Sequence, residues 1–376
     1  MHRADPDAPA GRYFAGLMSG TSVDGVDAVV ADFAEARPRV LAMHHVPFPP
    51  DLRRTLLALA SSGDGEIDRA GEAALALANL YARASLAAIA EAGLEARAIS
   101  AIGCHGQTIR HRPQRGYTVQ IGDPAALAER AGIPVVADFR SADLAAGGQG
   151  APLAPGFHAA FLADPAIDRV VLNLGGIANL TRLSPGKPVI GFDCGPANIL
   201  LDAWVEQHQG VPYDRDGTWA ESGQPIAALL ARMLADPFFL LPPPKSTGRE
   251  LFNLNWLAQH LRGDEPAVDV QASLLALTVE SVSVAIESVC NGCREVIVCG
   301  GGARNRALLA GLSRRCAPRQ VTTSDALGIA PEAIEPLAFA WLARERLAGR
   351  PGNLPQVTGA RGPRVLGAIY PAPRAA

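Results

Sequence analysis

Three glycine-rich turns, each entered from an apolar run, mark where this chain could do chemistry. The first reads Phe14-Ala-Gly-Leu-Met-Ser-Gly-Thr-Ser-Val-Asp-Gly-Val-Asp27, and another apolar run, Ala28-Val-Val-Ala31, follows at once. This pattern predicts a β-hairpin whose turn offers backbone N–H groups and small hydroxyls to an anion. Val170-Val-Leu-Asn-Leu174 enters Gly175-Gly-Ile-Ala-Asn179. Val296-Ile-Val-Cys299 enters Gly300-Gly-Gly-Ala-Arg-Asn305, with a predicted helix behind it. Three such turns suit a polyphosphate wrapped from two sides.

Acids and polar groups stand beside these turns. Asp24 and Asp27 lie in the first turn, and Asp193 ends a predicted strand at 189–193. A carboxylate so placed could coordinate Mg²⁺ or act as a base toward a hydroxyl or a water. Asp24 and Asp27 could equally be turn formers, and Asp193 a helix N-cap. The order strand, Asp193, Gly195, Pro196, helix would expose Asp193 at the carboxyl edge of a sheet, where open α/β sheets bind ligands. His105-Gly-Gln-Thr108 follows the predicted strand 102–104 and could hydrogen-bond a polar ligand such as a sugar, or be structural. Arg140 could hold a carboxylate bidentately, or pair with Asp143 or Asp123.

Other chemistries lack their signatures. Lys245-Ser-Thr247 follows three prolines and has no G-x-x-x-x-G before it, which argues against a P-loop. Neither G-x-S-x-G nor H-E-x-x-H occurs. Cys290 and Cys293 have C-x2-C spacing without a second pair, so they predict buried thiols rather than a zinc site.

The elements that must position these groups alternate between strand-like and helix-like, which predicts an α/β fold. Helices are predicted at 66–92, with Leu75, Ala78, Leu86 and Ile89 on one face, at 196–207, at 271–287 and at 335–347. Strands are predicted at 99–104, 118–121 and 134–138. The glycine-rich stretch 145–155 reads as a hinge or binding loop and sets a boundary between lobes 1–150 and 151–376, with the tail free to return to the first lobe. The proline-rich excursion 237–255 could serve a homodimer. The 376 residues suit two lobes, and 48% hydrophobic residues allow a large core. A net charge of −3 without a basic stripe speaks against nucleic acid and anionic membrane as partners. The first eleven residues lack an apolar core, and no run of about 18 uninterrupted apolar residues occurs. The expectation is a cytoplasmic protein.

Taken together the motifs resemble the anhydro-N-acetylmuramic acid kinase family, within the sugar kinase, heat-shock ATPase and actin superfamily. The matching segments run in order from 16 to 340: Gly16-Leu-Met-Ser-Gly-Thr-Ser-Val-Asp-Gly-Val-Asp27, Cys104-His-Gly-Gln-Thr108, Gln120-Ile-Gly-Asp123, Val136-Ala-Asp-Phe-Arg140, Gly147-Gly-Gln-Gly-Ala-Pro-Leu153, Asn173-Leu-Gly-Gly-Ile-Ala-Asn179, Gly191-Phe-Asp-Cys-Gly-Pro-Ala-Asn198, Lys245-Ser-Thr-Gly-Arg-Glu250, Cys299-Gly-Gly-Gly-Ala-Arg-Asn305 and Glu335-Pro-Leu-Ala-Phe-Ala340. Val23 stands where the family usually has methionine, Cys194-Gly-Pro-Ala197 where it has Thr-Gly-Pro-Gly, and Pro336 follows Glu335.

The resemblance implies a two-lobed ribonuclease H-like, actin-like ATPase fold with the active site in a cleft between lobes. It implies ATP and Mg²⁺ as cofactors and a 1,6-anhydro sugar as substrate, opened by water at C1 while O6 is phosphorylated. The first turn (Gly20, Thr21, Ser22, Val23, Asp24, Gly25, Val26, Asp27) would lie under the terminal phosphates, with Asp24 toward the metal. Asn173, Gly175, Gly176 and Asn179 would face it, and Gly300, Gly301, Gly302 and Asn305 would meet the nucleoside. His105, Gln107, Thr108, Asp123, Arg140, Gly195 and Asn198 would serve the sugar, with Arg140 on its lactyl carboxylate. Asp193 would be the base for water, with Glu335 a further sugar or water contact. A simple sugar or short-acid kinase would share the phosphate turns. A nucleotide-dependent sugar sensor would need an added domain, for which the chain has no spare segment.

Overall fold

The computed structural model describes residues 11–20 and 22–373. The first hairpin forms as its sequence predicts: β1 (Tyr13–Met18) and β2 (Gly25–Asp32) pair antiparallel, and β3 (Arg39–Pro47) continues the meander. β4 (Ile99–Cys104) lies parallel to β1. β5 (Gln107–Arg112) and β6 (Tyr117–Ile121) make a separate hairpin, and β7 (Val135–Ala137) lies parallel to β4. The crossover from β3 to β4 carries the helix Glu66–Glu91, whose Leu77, Ala78, Tyr81 and Ala88 are buried in the core with Ala15, Leu17 and Ile102. Leu75 and Leu86, expected on that face, are 48% and 38% exposed. The alanine-rich sequence allows more than one apolar stripe, and packing selects the one through Leu77 and Tyr81.

The opposite side of this sheet carries the helix Ile334–Leu347. It approaches so closely that a Cβ at Gly16 would strike the Pro336 carbonyl, and one at Gly103 the Phe339 carbonyl. These glycines are therefore required by backbone contact.

The second sheet repeats the plan. β8 (Arg169–Leu174), β9 (Ile177–Leu183) and β10 (Ile190–Pro196) form an antiparallel meander. β11 (Glu295–Cys299) and β12 (Gln320–Thr323) add in parallel beside β8. The orders β3-β2-β1-β4-β7 and β10-β9-β8-β11-β12 are the same topology. The crossover helix Ala267–Val289 buries Val279, Val282 and Ile286 against Leu172, Leu180 and Phe192. Both crossover helices are long and apolar enough to cross a membrane, yet 56% and 61% of their most apolar windows are buried inside the structure, as in core helices.

β13 (Ala368–Tyr370) returns to pair with β7. By internal contacts one unit runs to Phe157 and resumes at Glu335, and the other is His158–Ile334. The division expected at 150/151 thus falls at 157/158, and 335 onward joins the first unit. The stretch 145–155 is tied down within its unit. Gly148 N and Gly150 N donate to the Asp143 carbonyl and Oδ2 at 2.9 and 2.8 Å, and Gln149 N to the Thr358 carbonyl at 2.8 Å. Asn353 and Thr358 also bond Asp143, so residues 148–150 are held by hydrogen bonds within the first unit.

Candidate active site

In the first unit the β1–β2 turn is held from beneath by the end of β4 and start of β5. Ser19 Oγ lies 2.8 Å from the Tyr81 hydroxyl and 3.3 Å from the Gly106 carbonyl. Gln107 Nε2 donates to the Gly20 carbonyl at 3.2 Å. Gln107 thus supports the turn, a role its sequence position did not reveal. Among the described residues the direction of a Cβ at Gly20 meets only Ser22 Oγ, at 3.8 Å, which leaves room there of the kind a phosphate needs. Thr21 lies outside the described residues. Val23 sits at φ 55°, a left-handed conformation that costs a β-branched residue on the order of 1–2 kcal/mol. Such strain concentrates at functional turns.

Gly25, Val26 and Asp27 belong to β2, not to the turn, because the register pairs Met18 with Asp27. Asp27 accepts from His45 Nδ1 at 2.9 Å, and this bond raises the His45 pKa. Asp24 remains at the turn, where Ser22 Oγ donates to its Oδ1 at 2.8 Å. No group of three or more His, Cys, Asp or Glu among the described residues could hold a metal by itself. Magnesium brought by nucleotide phosphates needs only one or two carboxylates. Asp24, beside the open space at Gly20, fits that requirement.

The sugar-contact candidates of this unit divide. His105 is buried, and Arg140 Nη2 donates to its Nε2 at 2.8 Å while Nη1 donates to the Gly150 carbonyl at 2.7 Å. Burial, reinforced by the Arg140 charge, pushes the His105 pKa down to about 3, so the ring is neutral. Arg140 thus bridges His105 and the Gly150 carbonyl. Asp123 caps the helix Pro124–Ala131, accepting from Ala126 N at 2.9 Å. Thr108 Oγ1 accepts from Gln120 Nε2 at 3.0 Å. Glu335 stands half-buried in the first turn of Ile334–Leu347.

In the second unit the ladder sets Asn173 opposite Asn179 and Asn179 opposite Asp193. Directly opposed residues project to the same face, so the three polar side chains form one row across β8, β9 and β10. Their neighbours Leu172, Leu180, Phe192 and Cys194 point to the other face, into the core. Cys194 is therefore a core thiol, and burial pushes its pKa up. Asp193 is not a helix cap: β10 continues past it to Pro196, and the next helix is Asn198–Gln209. The sequence 245–247 lies along β10. Asp193 N donates to the Lys245 carbonyl at 3.0 Å, and Thr247 N donates to Asp193 Oδ2 at 2.9 Å. Lys245 Nζ donates to the Phe238 and Phe239 carbonyls at 3.1 and 3.3 Å. Burial lowers its pKa, while Cys194 and Asp193 oppose the shift. Sequence reading matched the segment 245–250 to the family but missed that it orients Asp193.

Two further turns meet at the ends of β8 and β11. Asn198 Nδ2 donates to the Leu174 and Gly175 carbonyls at 3.0 and 2.8 Å, so it supports the glycine turn. Gly195, at φ 147°, leaves a Cβ 2.7 Å from the Phe239 ring, which explains the glycine by packing. Gly300 has φ 79°, and a Cβ there would strike Asn173 Oδ1. A Cβ at Gly302 would lie 2.6 Å from Leu174 Cβ, whereas at Gly301 it would meet nothing within 4 Å among the described residues. Asn305 caps the helix Arg306–Cys316, accepting from Leu308 N at 3.0 Å.

The chain matches, over residues 12–372, the family model described as anhydro-N-acetylmuramic acid kinase. It is 56% identical over 368 residues to the anhydro-N-acetylmuramic acid kinase of Bordetella petrii, covering 96% of this chain and 97% of that one. The corresponding protein of Nitrosospira multiformis is 51% identical over 362 residues, covering 96% and 99%. Among solved structures, a ROK-family glucokinase from Streptomyces griseus is a distant likeness, with TM-score 0.40 and 17% identity over 89% of this chain and 99% of that one.

Proposed function

The chain belongs to the anhydro-N-acetylmuramic acid kinase family, and from that premise we propose how its residues share the reaction. The protein is an ATP-dependent kinase of peptidoglycan recycling. It opens the 1,6-anhydro bridge of 1,6-anhydro-N-acetylmuramic acid with water and phosphorylates O6, giving N-acetylmuramic acid 6-phosphate and ADP.

Asp193 takes the proton from the water that attacks C1. The C1–O6 bond breaks, and the released O6 attacks the terminal phosphoryl group of ATP. What carries this role is the polar row Asn173–Asn179–Asp193, with Thr247 N–H fixing one carboxylate oxygen. Phosphoryl transfer asks mainly for positioning and charge neutralisation. The amides of the β1–β2 and β8–β9 turns supply the first, and Mg²⁺ held by Asp24 and the phosphates would supply the second. The turn at 300–302 takes the nucleoside, with Gly301 the position open to it. Arg140 serves through His105 and the Gly150 loop, or by reaching the lactyl carboxylate, and Glu335 meets the sugar or water. A cytoplasmic location belongs to the same reading, since ATP is consumed.

A coupled ADP-release assay over sugars with and without the 1,6-anhydro bridge tests it. ADP release is expected with the bridged sugar. Equal turnover with open sugars would favour a simple kinase instead, and no ADP release with any sugar would favour a sensor.

A further inference from the structure

We infer that Asn198 is a positioning residue for the phosphate turn and not a contact to the sugar; the inference rests on the kinase reading above. The start of the helix Asn198–Gln209 holds three consecutive carbonyls of the β8–β9 turn. Asn198 Nδ2 donates to Leu174 O and Gly175 O at 3.0 and 2.8 Å. Asn198 N donates to Gly175 O at 3.1 Å, and Ala197 N and Ile199 N both donate to Gly176 O at 3.0 Å. A trans peptide is planar, with its N–H pointing opposite to its C=O. Fixing the carbonyls of Leu174 and Gly175 toward Asn198 therefore aims the N–H groups of Gly175 and Gly176 away from it. Successive N–H groups turned the same way form an anion-binding concavity.

Space around the turn agrees. Among the described residues a Cβ at Gly175 would meet nothing closer than the Ile177 carbonyl at 3.7 Å, so that side is open. On the other side, a Cβ at Gly302 would lie 3.0 Å from Asn198 Nδ2. Asn198 is thereby enclosed between two glycine turns, with its amide nitrogen committed to carbonyls. The first unit uses the same device, with Gln107 Nε2 on the Gly20 carbonyl.

The test compares Asn198→Asp and Asn198→Ala with the native protein by calorimetry, using a non-hydrolysable ATP analogue with Mg²⁺, adenosine, and the anhydro sugar. Asn198→Asp sets a carboxylate against two carbonyl oxygens and should weaken the ATP analogue by about tenfold or more, the effect of losing a charge-assisted hydrogen bond. Asn198→Ala should weaken it in the same direction by a smaller factor. Adenosine and sugar affinities should stay near native. Sugar affinity falling while ATP affinity holds would overturn the inference, as would equal losses for adenosine and ATP. Loss of cooperative melting in both variants would also overturn it, by making Asn198 a residue of the fold alone. If native protein binds neither ATP analogue nor sugar, the kinase reading fails instead; native binding with unaltered variants removes only the inference.

Discussion

At the scale of single residues, the proposed mechanism rests on Asp193. Asp193→Asn keeps its shape and its acceptor for Thr247 N–H but removes basicity. A positioned base is worth roughly 10²–10⁴ in rate, so turnover should fall that far while ATP binding by calorimetry is kept. Near-native turnover would remove Asp193 from the mechanism. A second residue, His158, contributes to the pH dependence of stability. Burial pushes the His158 pKa down to about 3 from its ordinary 6.5, with Nδ1 on Thr181 Oγ1 at 2.9 Å. The unfolded chain takes up that proton below about pH 6.5 and the folded one only near 3. The stability involved is therefore present above pH 6.5 and is lost as pH falls toward 3, with a slope of up to about 1.4 kcal/mol per pH unit. The urea midpoint of His158→Gln should fall less steeply between pH 6.5 and 4; parallel slopes would contradict this. Residue identities near turns were legible because turn chemistry is local. Their partners were not. Asn198, Asn305 and Asp123 looked like ligand contacts, yet Asn198 bonds the Leu174 and Gly175 carbonyls, which only the fold brings near, and Asn305 and Asp123 cap the helices that follow them.

At the scale of elements, the glycines are of two kinds. Gly301 borders open space, and Gly302 lies against Leu174. Gly301→Ala should leave the melting temperature nearly unchanged and raise the KM for ATP. Gly302→Ala should lower the melting temperature, since overpacking costs about 1–3 kcal/mol. The reverse ranking in a thermal melt would contradict the packing argument. The strand–turn–strand units were readable from apolar runs and glycines, and the helices 66–92, 271–287 and 335–347 from their periodicity. Strand ends were less so: the register with β1 draws Gly25 to Asp27 into β2, and pairing with β9 carries β10 through Pro196. The stretch 145–155 read as a hinge or binding loop because its glycines are local, while Thr358, which accepts from Gln149 N and with Asn353 holds Asp143 beside it, is about 200 residues away in sequence.

At the scale of the molecule, two sheets of one topology are built from unequal sequence, the first unit from both ends of the chain and the second from its middle. Gly16 and Gly103 receive the helix Ile334–Leu347, and β13 completes the first sheet. A chain truncated after Ile334 should lose hydrogen-exchange protection in β1 and β4 while β8 and β11 keep theirs; retained protection in β1 would show that the first unit folds without its C-terminal part. The central claim, that water opens the bridge while O6 takes the phosphoryl group, concerns where one oxygen goes. The reaction is run in ¹⁸O-labelled water and quenched before mutarotation. The label is expected at C1 of the sugar 6-phosphate, with C1 inverted, one water consumed per ATP and no label in the phosphate. Label in the phosphate, or a product that keeps its anhydro bridge, would contradict it.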